Sequence, residues 1–305
     1  MGLAMVINND PIELVRIATM TSFAFKTKTL MALVGLLALG TTAVGAVACA
    51  PVPDSGATSG DAIESPEMPP SGENLGQADD LLTPEVRETI LQTVAADVDR
   101  PVSELRVAAT ETATWNGCMG LYEPNQACTM IAIPGLRLVV TDGDRSWVYH
   151  AREDGQNAVQ NPTASGSQNG LIPDFIPPQP NENPNETPDE YVFRSLVSGG
   201  LAGRQQAITL FSDGRLVETE GATVVSESQV TPEQLAAFQQ VLEDQRFPNL
   251  DQVRYITDAA FADYPTVQLS TGYSRTEYID LALDNTPTAL QAVVEAWDNL
   301  VAEAQ

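Results

Sequence analysis

Residues 129–150 read TMIAIPGLRLVVTDGDRSWVYH, and this pattern decides the fold class. Thr129–Ile133 and Leu136–Thr141 are rich in apolar and β-branched residues and read as two strands joined at Pro134-Gly135. Asp142-Gly143 marks a tight hairpin turn, after which Ser146–His150 pairs back. Just upstream, Cys118 to Cys128 reads as a loop. Arg106 to Trp115 alternates as a strand does, with Leu105, Val107 and Ala109 on one face. Pro101 to Leu105 reads as a turn or a short 3₁₀ piece. Farther back, Thr83-Pro84-Glu85 sets an N-cap threonine before a first-turn proline. Val86, Ile90, Leu91, Val94 and Val98 then recur at helical spacing. Residues 81–152 are therefore expected to form one helix and an antiparallel meander.

Residues 191–305 give a second pattern of the same kind. Tyr191–Val197, Gln206–Phe211 and Arg215–Thr219 read as strands, with Ser212-Asp213-Gly214 as a hairpin turn. Thr231-Pro232-Glu233-Gln234 has the spacing of a capping box, followed by the apolar stripe Leu235, Phe238, Val241 and Leu242. Thr266–Leu269 and Thr276–Ala282 are further strands. Thr286-Pro287 opens a last helix, in which Leu290, Val293, Val294, Trp297, Leu300 and Val301 share one face. Segregated strands and helices point to an α+β fold rather than a parallel βαβ sheet. Two small modules are expected, each an antiparallel sheet packed with one or two helices and joined by a disordered linker.

That linker is placed at 153–190, which contains NPTASGSQNG and PPQPNENPNETPDE. The apolar island Leu171-Ile172-Pro173-Asp174-Phe175-Ile176 interrupts it and reads as a segment that docks on a domain, with a short binding motif as the alternative. A second polar stretch at 50–80 has almost no large apolar residues and cannot offset the entropy of ordering, so it reads as a disordered tether.

Residues 1–49 read as an export signal. Lys26 and Lys28 precede the uncharged stretch LMALVGLLALGTTAVGAVA from Leu30 to Ala48. Ala46-Val47-Ala48-Cys49 resembles a lipobox, with Ala46 where leucine is usual, and Cys49 is the expected lipidation site. Cleavage by a different peptidase near Ala48, or retention as a membrane anchor, are the alternatives. Residues 1–19 read as an upstream extension, with Met20 as the natural start. The expected location is tethered to a membrane on the periplasmic or extracellular side, or soluble there. Of the three cysteines, Cys49 falls at the signal boundary and leaves Cys118 and Cys128 as a pair. In an oxidising compartment that pair is expected to be a disulfide.

The chain carries 15 basic and 41 acidic residues, a net charge of −26. Arg16, Lys26 and Lys28 are the basic residues before Cys49, with Asp10 and Glu13 as the acids, so 12 basic and 39 acidic residues follow. All 12 are arginine. Such a surface repels nucleic acid and anionic lipid, and its plain effect is solubility.

One histidine and no lysine beyond the signal remove much chemistry. A zinc site, HExxH, a P-loop lysine, a Schiff base and Ser–Lys catalysis all lack their residues. A Ser–His–Asp triad has only His150 to draw on, and His150 reads as a solvated strand-end residue. Asp54-Ser55-Gly56 resembles half of an aspartic-protease motif but has no second copy. Asp142-Gly143-Asp144 is too short for an EF-hand loop, and the Ser198–Gly203 glycines read as a bulge or turn. No catalytic residue, cofactor or metal is expected.

The run Trp115-Asn116-Gly117-Cys118-Met119-Gly120-Leu121, then Cys128, Pro134-Gly135-Leu136-Arg137 and Trp147-Val148-Tyr149-His150, resembles a module of uncharacterised exported bacterial proteins, many of them cyanobacterial. Leu136 stands where an aromatic is usual. Ser198-Gly199-Gly200, the Ser212-Asp213-Gly214 turn and the closing Trp297 helix resemble the companion domain of such proteins. The resemblance implies export and architecture, and no activity. The Trp–Cys loop reads first as a pinned cover over a small sheet with Trp115 as core. It reads second as a recognition surface formed by Trp115, Met119, Leu121 and Tyr122, because a pinned loop loses little entropy on binding. The expected role is non-enzymatic binding of an envelope protein or polymer. Inhibition of an exported protease and carboxylate-based cell-wall hydrolysis are the alternatives.

Overall fold

The computed structural model describes residues 81–177, 191–199, 203–257 and 264–304. The expected signal, Cys49 and the tether lie outside these residues, as do 178–190 of the expected linker and Gly200, Leu201 and Ala202.

Helix α1 (Pro84–Val98) starts as its capping residues dictate, with the Val86 N–H donating to Thr83 Oγ1 at 3.3 Å. Its Ile90 and Val94 are fully buried against Leu136, Leu138, Val140 and Tyr149. Those residues come from a four-stranded antiparallel sheet in simple order: β1 (Arg106–Trp115), β2 (Ile133–Thr141), β3 (Ser146–Arg152) and β4 (Val159–Asn161). A 3₁₀ turn, Val102–Glu104, connects α1 to β1.

Two local expectations are corrected here. A bulge between Val107 and Ala109 shifts the register of β1. Val107 therefore packs on the α1 side and Ala109 on the opposite side, instead of sharing a face. Nor do two strands meet at Pro134-Gly135: one strand, β2, runs through both residues, and residues 129–132 are irregular. The apolar run TMIAI reads as a strand from composition, but the disulfide loop takes up its first four residues.

The second sheet has eight described strands in the order β5-β10-β12-β11-β6-β7-β8-β9. These are β5 (Asp174–Phe175), β6 (Tyr191–Gly199), β7 (Arg204–Phe211), β8 (Arg215–Glu220), β9 (Thr223–Gln229), β10 (Val253–Tyr255), β11 (Thr266–Ser270) and β12 (Arg275–Ile279). Among the described strands every pairing in this sheet is antiparallel except β10 with β12, so the sheet is mixed. The capping box at Thr231 and Gln234 is present in both directions and opens α2 (Pro232–Asp244). The strand expected to reach Ala282 ends at Ile279 and passes into a 3₁₀ turn, Asp280–Asn285, before α3 (Thr288–Ala304). Phe193, Phe238, Phe247 and Trp297 form one aromatic cluster between sheet and helices, with ring centroids 4.9–5.4 Å apart.

The two expected modules are one packed body. Ala109, Val139 and Val148 from the far face of the first sheet share a core with Phe175 and Tyr255 of the second and with Leu250 of the 3₁₀ turn Phe247–Leu250. Each large side chain buried there contributes about 1.5–3 kcal/mol. The segment expected to be disordered is structured through residue 177. Ser146 and Ser167 form a β-bridge, Tyr255 donates to the Ala164 carbonyl at 2.9 Å, and the apolar island docks, with β5 pairing β10. Its Pro and Asn content suggested disorder, but Ala164, Leu171, Phe175 and Ile176 supply enough buried apolar surface to hold it. Among the described residues, no helix is long and apolar enough to cross a membrane.

Candidate functional site

The disulfide loop runs from the end of β1 to the start of β2. Asn116 begins it, its side-chain oxygen accepting from the Cys118 N–H at 2.9 Å and the Gly120 N–H at 3.1 Å. Met119 and Gly120 both take left-handed backbone conformations, at φ 56° and 73°. Gly117 N–H donates to the Thr129 carbonyl at 3.0 Å, tying the two arms together. Cys118 and Cys128 are bonded, with their Cα atoms 5.5 Å apart.

The loop is fastened to the sheet by aromatic stacking. Trp115 stacks on His150, with ring centroids 4.2 Å apart and planes 4° from parallel. The Trp115 indole N–H donates to the Ala151 carbonyl at 2.9 Å. His150 is only 3% exposed, which corrects the expectation of a solvated histidine. Its Nδ1 lies 2.7 Å from the Met119 carbonyl and must carry the proton, because a carbonyl only accepts. Nε2 is then the bare nitrogen, buried without a partner among the described residues. Burial pushes the imidazole pKa down to about 4, and the positive charge of Arg137 adds to this. The ring is neutral at ordinary pH.

The motif residues thus prove to be neighbours on one sheet face. Gly135 lies beneath the indole, where a Cβ would come within 2.2 Å of Trp115 Nε1 and 2.4 Å of the Ala151 carbonyl. Two residues on, Arg137 donates to Glu111 through Nε and Nη2 and to the Asp251 carbonyl through Nη1 at 2.6 Å. Its guanidinium also lies 4.7 Å from the centre of the Phe175 ring. Burial raises the carboxyl pKa of both Glu111 and Asp251.

Residues 87–159 match the model of a domain of unknown function, DUF8738. The matched segment begins in the first turn of α1 and ends on β4, so it covers the whole disulfide loop. No curated protein and no solved structure matches the chain.

The disulfide loop is also clamped from outside the matched segment. The Asn249 side chain accepts from the Tyr122 N–H at 2.6 Å and donates to the Tyr122 carbonyl at 3.0 Å. Arg246 donates to Glu123 at 2.7 Å. Of the four residues expected to form a recognition surface, Trp115 and Met119 are 8% and 7% exposed and belong to the core. Leu121 is half-buried, and Tyr122 is exposed with its backbone committed to Asn249. The exposed apolar residues of the loop are Met130 and Ile131, at 94% and 55%. Sequence reasoning assigned both to a strand. A signal that they stand outside was available in their position just after Cys128, within reach of the disulfide's constraint.

Proposed function

We propose that this protein is exported, held to a membrane through a lipid on Cys49, and binds another component of the cell envelope without catalysing a reaction. The observation that carries the reading is the pair Met130 and Ile131, exposed side by side on a loop that is fixed on three sides. The disulfide, the Trp115–His150 stack and the Asn249 clamp hold its backbone in place. Apolar side chains on a pre-ordered loop bind a partner at low entropic cost. An intact disulfide and the strongly acidic chain suit an oxidising aqueous compartment.

A photo-crosslinking residue at Ala132, exposed and next to the pair in the chain, tests this in cells. A discrete adduct is expected in the envelope fraction, lost in Met130→Asp/Ile131→Asp while the melting temperature is kept. Globomycin is expected to block processing at Cys49. Recovery of full-length protein from cytosol with both thiols of Cys118 and Cys128 free would end the proposal.

The same rigid loop favours a second reading, inhibition of an exported protease, because Met130 projects almost fully into solvent. Titrating the chain against a panel of serine and cysteine proteases separates the two. Micromolar inhibition removed by Met130→Asp supports inhibition, and none at all leaves the binding role.

A further inference from the structure

Helix α3 does not close fully on the second sheet. Its Val294, Trp297 and Val301 stand over Val197, Ile208 and Leu269, leaving a cleft of about 330 Å³. This volume falls at the lower end of small-molecule sites, roughly 300–1,000 Å³, and far below what a folded partner would fill. The floor is hydrocarbon and aromatic. The rim carries two carboxylates, Asp280 from the 3₁₀ turn after β12 and Asp298 from α3, with Tyr278 below them. Ser195, which also lines the cleft, accepts from the Trp297 indole at 3.0 Å.

We propose that this cleft binds a small organic cation, an ammonium group carrying a short alkyl chain. Charge complementarity chooses the occupant. No arginine pairs with Asp280 or Asp298 among the described residues, whereas Glu111, Asp174 and Asp213 each pair with one. Burial, and next the negative charge of Asp280, raise the carboxyl pKa of Asp298. The last turn of α3 holds no basic residue, so the negative end of its dipole also stands unneutralised near the rim. A bound cation relieves all three, while its alkyl chain covers the apolar floor. A bare metal ion would satisfy the rim and leave the floor wet, and an anion or neutral alcohol would satisfy the floor alone.

Calorimetric titration of the full chain with hexyltrimethylammonium, 1-hexanol and hexanoate tests the assignment. The ammonium is expected to bind at one site at least about tenfold more tightly than hexanol, with hexanoate weakest. Asp280→Asn/Asp298→Asn, both at the exposed rim, should bring the ammonium to within about threefold of hexanol and leave hexanol unchanged. Ala302→Trp, which fills the cleft from the exposed side of α3, should abolish binding of all three and so separates the cleft from other apolar surface. Equal affinities for ammonium and hexanol, no saturable binding, an unchanged ammonium affinity in the double variant, or binding that survives Ala302→Trp would each overturn it.

Discussion

Trp115 and His150 lie face to face, 35 residues apart in the chain and 4.2 Å apart in space, and burial of the ring with Nε2 unpartnered among the described residues keeps the imidazole neutral. Burial lowers the folded-state pKa of His150 from 6.5 to about 4. Between those values the unfolded chain takes up the proton first, so stability is full above about pH 6.5 and falls as pH drops toward 4. The loss reaches about 3 kcal/mol at most, at 1.36 kcal/mol per unit. Half-buried Glu111 and Asp251 have raised carboxyl pKa values and act with the opposite sign. The informative quantity is therefore the difference between the native chain and His150→Phe. Urea midpoints measured from pH 7.5 to 4 should show the native chain losing ground steadily to the variant. A flat difference would mean that the histidine does not sense its burial.

Gly135 has no room for any side chain. A Cβ there would meet the Trp115 indole nitrogen and a backbone carbonyl, neither of which swings aside easily. Gly135→Ala should cost at least about 2 kcal/mol, within the usual range for overpacking. It should also break the bond from Trp115 to Ala151 and shift the tryptophan emission. An alanine variant as stable as the native chain, with unchanged emission, would show that the indole does not lie across β2.

Much of this site was readable in the residues, and the unread part has a common cause. Thr83 and Thr231 announce their helices because a cap is a local event, complete within four residues. Cys118 and Cys128 could be paired by counting. The bulge after Val107 leaves no mark in a run of small and β-branched residues, so the facing of Ala109 was lost. β9 is polar and exposed along nearly its whole length and shows no alternation to detect. Most of all, the clamp from Asn249 to Tyr122 joins positions 127 residues apart, and an asparagine in a 3₁₀ turn advertises nothing of it. Local chemistry was legible, whereas burial imposed by a distant segment was not, and His150 is the clearest case.

The disulfide closes a loop with a sequence separation of only 10 residues. In the chain-entropy account, a loop this short contributes about 2–3 kcal/mol. Cys118→Ser/Cys128→Ser should lose that much in urea denaturation. The native fold should persist, because the Trp115 stack and the Asn249 clamp still fasten the loop. Tyr122 amide exchange is the sensitive readout: protection should fall in the serine double variant and fall further when Asn249→Ala is added. Full protection in all three chains would show that a different contact holds the loop.

Arg137 joins the two sheets, and its geometry makes it more than a charge. It donates two bonds to Glu111 and one to the Asp251 carbonyl, and it lies over Phe175. Lysine cannot reproduce a planar fork that is stacked on a ring, so Arg137→Lys should be damaging despite keeping the charge. Arg137→Met should cost about 3–5 kcal/mol, because Glu111 is left largely buried with no counter-charge. Glu111→Gln added to Arg137→Met should restore a large part of that loss, since a neutral amide tolerates the site. If the double variant is no more stable than Arg137→Met alone, the guanidinium acts through Asp251 and Phe175 rather than through Glu111. The seam between the sheets would then depend on packing and the carbonyl bond rather than on the ion pair.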